Sequence, residues 1–179
     1  DLSGRDLSGS DLAGAGFSDG SRTFANLRGV NFTGADLSGS QMAGGAIGSG
    51  RVHLNDAVLA GANLYGANLY RADLSGATLT NANLSTAELG NAQLVKSNLT
   101  GARLTGATLR DTNFTGANLT RADLTGTSTS GWTVSGATLT GANLTQVDLS
   151  GQNLSGVSLA GANLQNAILV GTDLTNANL

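Results

Sequence analysis

GANLYGANLYRADLSGATL, residues 61–79, sets leucine at 64, 69, 74 and 79 and alanine two places before each. Neither regular element can use that period. Five steps along an α-helix rotate about 140°, so successive leucines would wander around the cylinder. Five steps along a straight strand put each leucine on the face opposite the last. The apolar set can be buried together only if the chain turns once per repeat. The alanine and leucine then share one face of a short extended segment.

The beat continues through most of the chain. From Leu54 to Leu179 every fifth residue is leucine save Phe114, Thr129 and Val134, and alanine predominates two places earlier. An N-terminal block keeps the same time through Leu2, Leu7, Leu12, Phe17, Leu27, Phe32, Leu37, Met42 and Ile47, with Arg22 as its exception. Ile47 and Leu54 are seven apart, so the two blocks are out of phase. Two places after each leucine the usual residue is glycine, or asparagine at 81, 91, 166 and 176. These are the residue types that best tolerate positive φ in tight turns.

The pattern A(D/N)LXX, as ADLSG at 35–39, ANLYG at 62–66, ADLTG at 122–126 and ANLTQ at 142–146, resembles the pentapeptide-repeat proteins. The resemblance covers nearly the whole chain. It implies an all-β fold, a right-handed quadrilateral β-helix (β-solenoid) with four pentapeptides per coil and roughly nine coils, on the order of 40 Å long. The 20-residue register this implies gives two flawless leucine columns. One runs Leu59, Leu79, Leu99, Leu119, Leu139, Leu159, Leu179; the other runs from Leu64 to Leu164. Residues 1–179 read as a single solenoid. A phase slip at 48–53 separates an irregular block, 1–47, from a regular one, 54–179.

Composition narrows the chemistry. With no cysteine and one histidine, thiolate metal sites, disulfides and iron–sulfur clusters are excluded, and no metal or cofactor is expected. The nine cations are scattered in a chain of net charge −3, which argues against direct nucleic-acid binding. No apolar run reaches the roughly 18–20 residues of a membrane helix, and no signal peptide is visible. Asp1 in place of a methionine suits a processed or excised product, and the compartment is left open. A filled rod offers no concave site where catalytic groups converge, so no enzyme activity and no small-molecule substrate are expected.

Function is sought where the beat falters. GSGRVHL, 48–54, carries Arg51 and His53 at the phase slip and reads either as a recognition loop or as a stitch between blocks. In GTSTSGWTVSG, 126–136, Trp132 and Thr127 take alanine positions and Thr129 a leucine position. That implies a distorted side, with Trp132 capping a gap or partly exposed. Arg22 occupies an interior beat, so SDGSRTF, 18–24, should bulge, with Phe24 replacing it inside. Tyr65, Tyr70, Arg71 and Arg110 form an aromatic–cationic cluster, since 70 and 110 share a column two coils apart.

These features point first to a structural or protein-interaction module. It would engage a protein partner, or associate with itself through the solenoid ends, either alone or as part of a longer protein. The family resemblance supplies an alternative, a DNA-mimic that binds DNA gyrase in the manner of quinolone-resistance proteins. That reading needs a strip of carboxylates, whereas Asp73, Glu88, Asp123, Asp148 and Asp173 fall on several columns. A remote alternative is ice binding through threonine ladders such as Thr80, Thr100, Thr120 and Thr140.

Overall fold

From residue 53 onward, parallel β-bridges join most of the short extended segments to the segment twenty residues further on, as in Val58 to Thr78 and Thr78 to Asn98. The computed structural model describes residues 1–17, 25–44 and 51–179 and is an all-β solenoid, with no helix among these residues. Four columns of bridges stack along the chain. They are named here for their leucines in one coil: the Leu54, Leu59, Leu64 and Leu69 columns.

Inside, the leucines and alanines form one continuous core. Leu59, Leu64, Leu69, Leu74 and Leu79, with Ala57, Ala62, Ala67, Ala72 and Ala77, are completely buried. Burying one leucine contributes about 1.5–3 kcal/mol. The core opens at the last coil, where Leu164 and Leu174 are partly buried and Val170 and Leu179 are exposed.

Each five-residue unit closes with a type II turn. Ala57 N–H donates to the Leu54 carbonyl at 3.1 Å, and Asp56, the third turn residue, has φ of 58°. Every such position from 56 to 176 has positive φ, whether it holds Gly, Asn, Asp, Thr, Lys, Arg or Gln. The fold therefore imposes the conformation, and glycine or asparagine only lowers its cost.

The N-terminal register is wider. Asp6 pairs with Asn31 and Asn31 with Val58. The extra length falls between Gly16 and Asn26 and between Gln41 and His53, both passages from the Leu69 column to the Leu54 column. The bulge expected around Arg22 and Phe24, the beat at Ile47, and residues 48–50 of the slip lie outside the described residues.

Leu99, fully buried in the Leu59 column, is expected to cost about 2–5 kcal/mol as Leu99→Ala, since opposed columns cannot collapse into the cavity. The neighbouring Thr100→Ala should shift stability little. Chemical denaturation of the two variants checks the contrast.

Candidate functional site

Backbone accounting explains the aspartate or asparagine that precedes many of the leucines. In the unit around Leu74, Leu74 N–H donates to Gln93 O, Gly76 N–H to Val95 O, Ala77 N–H to Leu74 O, and Thr78 N–H to Ala57 O. Only Ser75 N–H lacks a backbone acceptor. It donates instead to Asp73 Oδ1 at 3.1 Å. The same cap recurs at Asp6, Asp36, Asn98, Asp123, Asp148 and Asp173. The side-chain amides then tie coils together, as where Asn63 Nδ2 donates to Asp36 Oδ1 and Asn83 Nδ2 to Asn63 Oδ1, each at 3.1 Å. Thr100, Thr115, Thr125 and Thr145 donate their hydroxyls back to the same capping oxygens. The outer surface is thus largely occupied with its own turns.

Capping lowers carboxylate pKa values. For Asp36 the Ser38 amide is the main cause, followed by the Ser38 hydroxyl. Burial pushes Asp123 up, but the Thr125 hydroxyl and amide, the Thr105 hydroxyl and the charge of Arg103 together outweigh it. At Asp73 burial is likewise outweighed by Ser75, Asn55 and the charge of Arg51.

The structure brings several singled-out residues to one line. Gly44 N–H donates to Tyr70 O, Arg71 N–H to Gly90 O, and Asn91 N–H to Arg110 O, so Tyr70, Gly90 and Arg110 stack on the turn between the Leu69 and Leu54 columns. A methyl on Gly90 would stand 3.2 Å from Tyr70 Cδ2 and 3.4 Å from Cε2, so the tyrosine ring lies against this glycine. Arg51 and Arg71 meet at the same turn, where a methyl on Gly44 would stand 3.3 Å from Arg51 Cα and 3.1 Å from Arg71 Cβ. Tyr65 occupies the preceding turn, between the Leu64 and Leu69 columns. Tyr65 is 53% and Tyr70 43% exposed. Arg110 is exposed and meets Asp111 at 3.5 Å, a surface ion pair worth little by itself. His53 is exposed in the Leu54 column, bridged to Asn26 and Asp73, and borders a recess shared with Asn26 and Arg28.

Trp132 stands apart from these residues. It fills an alanine position, is 5% exposed, and packs edge-on against Phe114 with ring centroids 6.0 Å apart. Its Nε1 is buried without a hydrogen-bond partner. The side chain thus enters the interior, so it offers no exposed indole for a partner. The expected distortion is present beside it. The bridges from Ser128 to Asp148 and from Thr133 to Asn153 are missing, although the ladder is intact one coil earlier and one coil later. The signal for this break lay in the 20-residue register, which reads Thr112, Trp132, Gln152, Thr172 down one alanine column. Among the described residues no group of three or more His, Asp or Glu side chains could hold a metal ion.

The family model for pentapeptide repeats matches in eight copies over residues 1–34, 23–45, 51–85, 87–126, 134–169 and 142–179, and the chain belongs to this family. Among solved structures it is similar to HetL, a pentapeptide repeat protein involved in heterocyst differentiation regulation from Nostoc sp. strain PCC 7120. That match has 29% identity and a TM-score of 0.42, and covers 99% of this chain and 86% of HetL. It is similar to trypsin-treated QnrB1, a plasmid-mediated fluoroquinolone resistance protein, at 20% identity and a TM-score of 0.50, covering 96% and 90% of the two chains. A pentapeptide repeat protein of the Arabidopsis thaliana thylakoid lumen shares 31% identity over 82% of this chain and 66% of its own, with a TM-score of 0.39. No curated protein matches.

The depressed carboxylates make a pH prediction. A folded-state pKa below the unfolded value, about 3.9 for Asp, gives stability that is complete above that value and is lost as pH falls through the folded one. Thermal midpoints should therefore hold from pH 7 to about 5 and fall below about pH 4. Asp123→Asn, which keeps a capping oxygen but cannot titrate, should reduce that fall. Melts followed by circular dichroism across the range check both.

Proposed function

We propose that this chain is a non-enzymatic protein-interaction module, a single right-handed, four-sided solenoid of roughly nine coils spanning residues 1–179. The observation that carries this reading is the exposed pair Tyr65 and Tyr70 on the two turns that flank one extended segment, with Arg110 further along. Many of the outer Asp, Asn and Thr groups are already bonded within their own turns. Large aromatic rings and an exposed guanidinium are the groups that most often anchor a protein contact. Arg51, His53 and Arg71 extend the surface along the same side.

The carboxylates support this over a duplex mimic. They stand in all four columns: Asp6 in one, Asp36 and Asp123 in a second, Glu88 and Asp148 in a third, Asp73 and Asp173 in the fourth. Each aspartate named is also engaged in capping a turn. In the ladder Thr80, Thr100, Thr120 and Thr140, the Thr100 hydroxyl is bonded to a capping oxygen and the Thr140 hydroxyl to Ser158, which weighs against a uniform hydroxyl array for ice binding. A second contact is the open coil at 160–179. Its exposed Ile168, Val170 and Leu179 suit pairing with a further coil, of the same polypeptide or of another copy.

Pull-downs with wild type, Tyr65→Ala/Tyr70→Ala and Thr120→Ala test the side surface. The double variant should lose the partner and Thr120→Ala keep it, while equal recovery by all three sinks the reading. A gyrase supercoiling assay should show neither inhibition nor drug protection.

A further inference from the structure

Two of the four columns run without exception and two do not. The Leu59 and Leu64 columns keep leucine at every position from residue 59 onward, whereas Phe114, Thr129 and Val134 all fall in the Leu54 and Leu69 columns. The ladder break falls in the same pair. One coil earlier, Leu109, Asp111, Phe114 and Gly116 donate to Ser128, Ser130, Thr133 and Ser135; one coil later, Leu149, Gly151, Leu154 and Gly156 donate to Ile168, Val170, Asp173 and Thr175. Among the described residues, the matching amides of Thr129, Gly131, Val134 and Gly136, and those of Asp148 and Asn153, make no backbone bond across the break.

The cause is steric and chemical together. An indole stands in a column that holds alanine at 72 and 92, between Thr112 one coil earlier and Gln152 one coil on. Ser128 and Thr133 also leave the following amides uncapped, although the same is true of Thr78 and Thr138, where the ladder is unbroken. Thr129 spans the gap with its hydroxyl, which donates to Asp148 O at 2.6 Å. That bridge leaves the slit too narrow for an inserted strand. Recesses of about 160 and 180 Å³ mark the slit, one lined by Trp132, Thr133, Val134, Asn153 and Ser155, the other by Ser128, Ser130, Asp148 and Gln152. The uninterrupted columns hold on both flanks, through Leu124 N–H to Asn143 O at 2.8 Å and Leu139 N–H to Ser158 O at 2.7 Å.

We propose that this slit is a built-in opening point: segments 127–136 and 147–156 part before the rest of the rod unfolds, hinged on the Leu59 and Leu64 columns. Local opening follows low local stability, and here a run of ladder bonds is absent while an unpaired indole N–H strains the interior. Parting releases that N–H to water and presents two unpaired strand edges on the side that carries Tyr70 and Arg110.

Trp132 is the chain's one tryptophan, so its emission reports the slit and nothing else. In a denaturant titration of the intact chain, red shift and acrylamide quenching of Trp132 should reach their midpoint at a lower concentration than loss of the far-ultraviolet circular dichroism. Coincident midpoints overturn the proposal. In hydrogen exchange, Thr129→Leu/Trp132→Ala should raise protection of the Val134 and Asn153 amides toward that of Phe114 and Thr133. A folded double variant with those amides still unprotected also overturns it. If the double variant does not fold, the two wild-type midpoints decide.

Discussion

A five-residue turn of chain leaves one amide, on the residue after each leucine, that the backbone cannot bond. Its sister amides go to the next coil, the previous coil or the turn carbonyl. Where an Asp or Asn stands two residues earlier it takes that amide, and this small local bond favours those residue types beside the leucine. An Asp or Asn whose oxygen is held there also has its remaining atoms directed along the rod axis, where they meet the neighbouring coil. One side chain thus closes its own turn and ties two coils together. Much of the fold's regularity follows from that double duty.

The same constraint disposes of most of the surface chemistry. Thr100, Thr115, Thr125 and Thr145 point their hydroxyls back to the oxygen that caps their own turn. Aspartates that look like an acidic strip are capping groups whose pKa values the turn holds down. Tyr65 and Tyr70, by contrast, are exposed large side chains that cap no turn. Gly90 matters here because its missing side chain lets the Tyr70 ring lie along the rod.

The five-residue beat, the two faultless leucine columns and the faltering at 126–136 were legible in the sequence, because each rests on a local spacing. The reason for the Asp or Asn was not, since it appears only once all five amides are traced. Trp132 was legible as a misfit but not as a buried one. Its place inside depends on Phe114, eighteen residues away, offering an edge to pack against. The alignment of Tyr70, Gly90 and Arg110 could be counted out. The convergence of both long passages on that same turn could not, because the N-terminal coils abandon the twenty-residue step.

The ladder in this molecule is strictly neighbour to neighbour: a coil knows only the coil above and the coil below. A fault therefore stays where it arises, as a cracked tread leaves the rest of a staircase sound. Such an architecture can gain or lose whole coils, and can tolerate an ill-fitting one, without renegotiating the remainder. Novelty enters by local error, and the length of the rod becomes a quantity that duplication alone can set.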